Sequence, residues 1–334
     1  MTLLVEQAVR RLADGRIVAF PTETVYGLGA DAENPSALAK IFAIKGRPAS
    51  HPVIVHLSPE ADVGYWAKSV PAQARVLMQV FWPGPLTLIL PRADHISSAI
   101  SGGQDSIGLR CPSHPVAQAL LRQFAQLKSH GQGGVAGPSA NKFGQVSPTQ
   151  AEHVRAEFPE LSAADLMVLD GGSAQVGIES TIVDVSRVAQ GIGPVVLRPG
   201  HVTASQIGEA LGITLSQPDG AAPRVSGSLK AHYAPRTPLF LLSLDRLLEQ
   251  VDLAASSPGR VAAVVFESTL RADLPGVDWC VAAGDPDAYA QGLYALLRHL
   301  DRRGYTRIFL EQPPQDASWQ AVNDRISRAA AAFI

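Results

Sequence analysis

Residues 20–56 read FPTETVYGLGADAENPSALAKIFAIKGRPASHPVIVH, and the reading of this stretch decides the fold. An apolar strand ending at Phe20 runs into a polar turn punctuated by Gly27 and Gly29. A helix follows, then Lys45 and Arg47 side by side around one glycine, then a second apolar strand reaching His56. Asn34 suits the N-cap of a helix over 35–44, Pro35 its first position, and Gly46 the point where the chain must leave it. Two cations at a helix C-terminus can be explained by the helix dipole alone. Here Thr22, Glu23, Thr24 and Tyr26 leave one strand and His51 and His56 bracket the next. The stretch therefore reads as the floor of a site for an anionic ligand, a nucleotide.

Working outward, Leu3, Leu4, Ala8, Val9 and Leu12 recur at helical spacing over 3–14, Gly15 stops that helix, and 17–20 is a buried strand. Strand, turn and helix recur through the first 200 residues, the pattern of a mixed α/β domain. WPGPLT (82–87) leads into a strand over 86–90, its prolines setting a rigid approach to Thr87. SIGLR (106–110) ends in Arg110, which is either a surface charge or a fork of donors for a carboxylate or phosphate. In VAGPSAN (135–141), Ser139 and Asn141 could present a hydroxyl and an amide, and Ser147-Pro148 suits the cap of the following helix. GIESTIVD (177–184) leaves Ser180 and Thr181 at a strand mouth, and VVLRPG (195–200) leaves Arg198 at another. Repeated exits of this kind suggest one shared pocket, because ligands of open α/β sheets collect at strand ends.

Residues 216–237, SQPDGAAPRVSGSLKAHYAPRT, are rich in Pro, Gly, Ser and Ala and read as a linker. Its basic-aromatic cluster, Lys230, His232 and Tyr233, suggests a lid folding back over the site; a loop docked on a core by its tyrosine is the counter-reading. From 238 onward strands and helices alternate (strands 238–242, 260–266, 277–281 and 306–310; helices 245–251, 286–303 and 316–332), the pattern of a small, mainly parallel sheet. No GxGxxG follows its first strand, and the P-loop and kinase signatures are absent from the chain. Arg298, Arg302, Arg303 and Glu311 read as solvated.

Composition excludes several classes. A length of 334 residues with 46% hydrophobic content suits two packed cores. A net charge of −2 draws the chain neither to nucleic acid nor to membrane. The two cysteines, Cys111 and Cys280, lie far apart without companions at metal spacing, so neither a disulfide framework nor a zinc site is expected, and a cytoplasmic location fits. No apolar run reaches the ~18 residues of a membrane span.

PTETVYGLG, KGRP, HPVIVH, WPGPLT, SAN, STIVD and LRPG, in this order, closely resemble the YrdC-like domain of the threonylcarbamoyl-AMP synthase family, and the linker and C-terminal part resemble its two-domain form. The resemblance covers essentially the whole chain. It implies a YrdC-like twisted mixed α/β sheet domain with a concave, positively charged face over 1–215, a linker or lid over 216–237, and a small Rossmann-like, mainly parallel α/β domain over 238–334. It implies condensation of L-threonine, bicarbonate or CO2 and ATP, with Mg²⁺, into L-threonylcarbamoyl-AMP and pyrophosphate. Separate tRNA threonylcarbamoyl-transferase machinery would then build N6-threonylcarbamoyladenosine at position 37 of ANN-decoding tRNAs.

Carried over residue by residue, Lys45 and Arg47 would face the triphosphate and the carbonate as the catalytic pair. Ser139, Asn141, Arg198 and Tyr233 would complete the ATP site, and Thr24, His56, Thr87, Arg110 and Ser180 the threonine pocket; the metal ligands are unassigned. Two departures stand out. His51 replaces the Asn common before the Pro of NPL, and SGSLKAHYAP replaces PGMKYxHYAP. An RNA-binding module is the rival from another class, since the same basic face could hold RNA weakly. Carbamoyl transfer in hydrogenase maturation, the other setting of YrdC-like units, needs zinc motifs and an acylphosphatase-like segment that this chain lacks.

Overall fold

In the computed structural model, which describes residues 2–266 and 274–334, the helix Pro35–Lys45 forms as its caps dictate. The Asn34 side chain accepts from the amides of Ser36 and Ala37 at 3.1 and 3.2 Å. Gly46 turns left-handed at φ 60°, and the amides of Gly46 and Arg47 bond back to Ala43 and Phe42. This paired C-terminal motif satisfies two orphan carbonyls and fixes the direction in which Arg47 leaves the helix.

The chain forms two compact units, the first comprising Met1–Phe143, Pro148–Gln175 and Glu179–Ser228, the second Gly144–Ser147, Val176–Ile178 and Leu229–Ile334. Among the described residues, the first carries a nine-stranded sheet in the order β7-β1-β2-β6-β3-β5-β4-β8-β9. Its strands are β1 (Ile17–Phe20), β2 (Gly27–Asp31), β3 (Ile54–His56), β4 (Leu86–Pro91), β5 (Ser106–Arg110), β6 (Val135–Ala136), β7 (Leu166–Val168), β8 (Thr181–Asp184) and β9 (Val195–Arg198). β1–β7, β3–β5 and β4–β8 pair parallel and the other neighbours antiparallel, so the sheet is mixed.

β1 shows why these strands read as unbroken apolar runs. Ile17 and Ala19 join one core with Leu28, Leu38 and Ile41, while Val18 and Phe20 join another with Val9, Leu12, Leu121 and Phe124. Successive side chains point to opposite faces, and both faces are covered. The second core is supplied by the helices Thr2–Ala13 and Pro115–Leu127, whose apolar residues recur at helical spacing.

Among the described residues, the second unit holds four parallel strands, β10 (Leu239–Leu242), β11 (Val261–Phe266), β12 (Val277–Ala282) and β13 (Arg307–Glu311), in the order β10-β13-β11-β12. The helices Leu244–Ala255, Pro286–Asp301 and Gln320–Ala330 follow the expected alternation. Among the described residues no helix is long and apolar enough to cross a membrane.

Two local readings are corrected. The helix after the SAN turn, Ala151–Glu157, is capped at Gln150 without a side-chain bond, and Ser147 is fully buried instead of capping it. Arg298 is not solvated: it is buried, and its guanidinium donates to the carbonyls of Ser147 (3.3 Å) and Val146. Glu311 is half-buried and accepts the Phe266 amide at 2.8 Å, whereas Arg302 and Arg303 are exposed as expected.

Candidate functional site

The sheet order brings together residues that the chain keeps far apart. β3, β5 and β4 are neighbours, and their register sets His56 opposite Arg110 and Arg110 opposite Thr87. The Thr87 hydroxyl lies 2.8 Å from that of Ser180, just before β8. Arg198, the last residue of β9, donates to the Ser180 carbonyl at 2.8 and 3.1 Å and to its hydroxyl at 3.2 Å. From the far side, Arg110 donates to the Thr24 hydroxyl at 2.9 Å. Thr24, Arg110, Thr87, Ser180 and Arg198 therefore line one face of the first unit, beside His56.

The cationic pair belongs to the same unit. Lys45 is 3% exposed, and its ammonium donates to the carbonyls of Ser139 (2.5 Å) and Asn141. Burial, followed by the neighbouring Arg47, holds its pKa well below the usual lysine value. The SAN turn meets Lys45 through its backbone, while the Asn141 amide donates to the Lys142 carbonyl at 2.8 Å. Arg47 donates to the Pro52 carbonyl at 2.7 Å, reaches the Ser226 hydroxyl at 3.4 Å, and lies over the Phe143 ring. His51 meets the same ring edge-on at 5.2 Å, and burial with the charge of Arg47 lowers its pKa.

His56 is the most perturbed histidine of this face. Its Nδ1 is buried without a hydrogen-bond partner, and Gly137 passes so close that a Cβ there would stand 2.8 Å from it. Burial, then the charge of Arg110, pushes its pKa down to about 3, so the ring is neutral at physiological pH. A neutral imidazole beside the buried Arg110 adds no charge to a face suited to an anion.

Of three further contributors, Ser226 and Phe143 were not singled out in the sequence, and Glu23 was read there only as part of a polar strand exit. Glu23, 3% exposed, accepts from Arg110 at 2.7 Å and from the Ser113 amide at 3.1 Å. Its signal was a carboxylate set between two threonines at a strand exit. Ser226 bridges the two arginines, its carbonyl accepting from Arg198 at 3.0 Å and its hydroxyl lying near Arg47. Phe143 carries the Arg47 guanidinium. The first half of the expected linker is thus fastened to the first unit, where Asp219 also pairs with Arg187 at 2.7 Å and Arg224 exchanges backbone bonds with the Gln104 side chain.

Tyr233 falls in the second unit. It is buried at φ 62°, stacked 5.8 Å from Tyr294, edge-on to His232 and under the Arg325 guanidinium. These surroundings favour the docked-loop reading of this tyrosine.

A separate cavity of 310 Å³ in the first unit is lined by Leu57, Met78, Trp82 and Cys111 among others, and by none of the expected site residues. Burial, followed by the charge of Glu23, pushes the Cys111 thiol up to about 12, which keeps it protonated and inert as a nucleophile.

A mixed α/β unit that gathers buried basic side chains and hydroxyls on one face is of the class suited to small anionic ligands. Residues 10–200 match the family described as Telomere recombination, and residues 202–331 match the Threonylcarbamoyl-AMP synthase, C-terminal domain. The threonylcarbamoyl-AMP synthase of Pyrococcus abyssi is 32% identical over 95% of this chain and 91% of its own length. That of Bacillus subtilis is 35% identical over 98% and 92%. The crystal structure of P. abyssi Sua5 complexed with L-threonine superposes with a TM-score of 0.84 at 30% identity, covering 100% of this chain and 95% of that one. The chain belongs to the threonylcarbamoyl-AMP synthase family, whose members are nucleotidyltransferases.

Proposed function

We propose that this protein condenses L-threonine, bicarbonate or CO2 and ATP into L-threonylcarbamoyl-AMP and pyrophosphate. The product would supply a separate transferase that modifies adenosine 37 of ANN-decoding tRNAs, in the cytoplasm. The observation that carries the reading is two runs of contacts in one unit, Thr24 to Arg110 and Thr87 through Ser180, Arg198 and Ser226 to Arg47, set side by side where Arg110 and Thr87 face each other across β5 and β4.

In this reading the threonine amine attacks CO2 to give a carbamate, and a carbamate oxygen then displaces pyrophosphate in line from the α-phosphorus. Such transfers depend on positioning and charge neutralisation, without an enzyme nucleophile. Lys45 and Arg47 neutralise the triphosphate and the carbonate. Ser139, Asn141 and Arg198 hold the nucleotide. Thr24, His56, Thr87, Arg110 and Ser180 receive threonine, with Arg110 facing its carboxylate. Mg²⁺ enters bound to the phosphates as part of the MgATP substrate, as this cation commonly does.

Pyrophosphate release from ATP, measured with threonine and bicarbonate each omitted in turn, tests the proposal. Release that requires both supports it. Release without threonine, or salt-sensitive RNA binding with no ATP consumption, overturns it.

A further inference from the structure

We infer that Glu23 is a positioning residue that aims Arg110 at the carboxylate of the amino-acid substrate. The inference rests on the reading of Arg110 as part of the threonine pocket and extends it to a residue one strand exit away.

Arg110 has five N–H donors in a planar fork. Three are committed: one to the Gly84 carbonyl at 3.3 Å, one to Thr24 at 2.9 Å and one to Glu23 at 2.7 Å. The remaining two, one on each terminal nitrogen, are left for a ligand in a setting where the residue is 4% exposed. A buried guanidinium with unspent donors is costly unless an acceptor arrives. Its orientation therefore decides which acceptor fits.

Of the three holding groups, Glu23 is the charged one, and its placement is itself over-determined. One carboxylate oxygen takes Arg110 and the other takes the Ser113 amide at 3.1 Å, so the side chain bridges the exit of β1 to the turn that follows β5. Thr22 stiffens the near end of that bridge: its hydroxyl donates to the Val25 carbonyl at 2.6 Å and accepts from the amides of Thr24 and Val25 at 3.2 Å. Two donors, one from the end of β5 and one from the turn after it, converge on Glu23, and a carboxylate accepts both, one on each oxygen. A glutamine would satisfy one and turn its own N–H2 toward the other, releasing the guanidinium to rotate. An aspartate keeps the charge but ends one methylene short and draws the fork away from the ligand.

The test uses the full chain with L-threonine as the probe, in calorimetric titration and in steady-state pyrophosphate release. Glu23→Gln is expected to weaken L-threonine binding and raise its KM about 10- to 100-fold, the scale of one hydrogen bond to a charged group. KM for ATP stays within about twofold and kcat within about threefold, because a contact made equally in ground and transition states affects KM alone. Glu23→Asp is expected to fall between Glu23→Gln and the parent, and it carries the test if Glu23→Gln does not fold. Threonine affinity unchanged or improved in the folded variants overturns the inference, as does a loss of kcat with both KM values unmoved, the mark of a structural role only. Arg110→Lys separates the two levels. If it leaves threonine affinity unchanged, the pocket reading itself fails and the inference falls with it. If it weakens threonine while both Glu23 variants do not, the positioning role alone is refuted.

Discussion

Acidification should destabilise the first unit through His56 in a way that one substitution removes. Burial, then the charge of Arg110, brings the folded pKa from 6.5 to about 3. In the unfolded chain the ring titrates near its ordinary value. Between these limits the unfolded state holds a proton that the folded state does not, so stability is full above the upper limit and is lost as the pH falls through the window. At ~1.4 kcal/mol per pH unit, the complete window is worth about 5 kcal/mol, and the step from about pH 7 to about pH 5 removes roughly 2 kcal/mol. That step keeps most carboxylates ionised. His51 and His114, whose pKa values burial also lowers, contribute with the same sign but remain in the variant. His56→Gln removes the titrating ring. Urea unfolding of both proteins at the two pH values should show a loss smaller by roughly 2 kcal/mol in His56→Gln. Equal losses in the two proteins would mean that His56 is solvated or paired in the folded state and would refute the reasoning.

Lys45→Ala removes the ammonium that reaches Ser139 and Asn141; pyrophosphate release should fall about 30- to 1000-fold, the worth of one charge-assisted contact in a closed site, with far-ultraviolet circular dichroism unchanged. Unaltered turnover would remove Lys45 from the catalytic pair. Asn34→Ala deletes the cap bonds to Ser36 and Ala37 and should cost about 1 kcal/mol in urea unfolding, while Asn34→Ser should recover most of it. Serine should replace threonine at a measurable but lower kcat/KM, since one methyl group in an apolar niche is worth only ~1–3 kcal/mol; equal efficiencies would argue against a threonine site. Asp219→Asn breaks a half-exposed pair with Arg187 and should accelerate proteolytic cleavage within 216–228 with little change in global stability, since exposed pairs are weak; unchanged cleavage would show that Arg224 and Ser226 suffice to hold the segment.

The amino-acid sequence alone was enough wherever the governing forces act between near neighbours. Asn34, Pro35 and Gly46 bound a helix by hydrogen bonds and backbone angles spanning a few residues, and that helix delivers Lys45 and Arg47 as a pair. The apolar runs at 17–20 and 86–90 could be read as strands because burial on both faces leaves an unbroken hydrophobic signature. Ser147 and Arg298 were misjudged for the opposite reason: a serine before a proline looks like a cap and an arginine on a helix looks solvated until packing decides which groups lose water. The same holds for Ser226 and for the pairing of Glu23 with Arg110, whose partners lie 87 residues apart along the chain. Strand order is a collective outcome of packing nine strands, and no local pattern encodes that β3, β5 and β4 become neighbours. Only that order sets His56, Arg110 and Thr87 side by side, because bringing remote segments together is favourable only when the whole core closes around them.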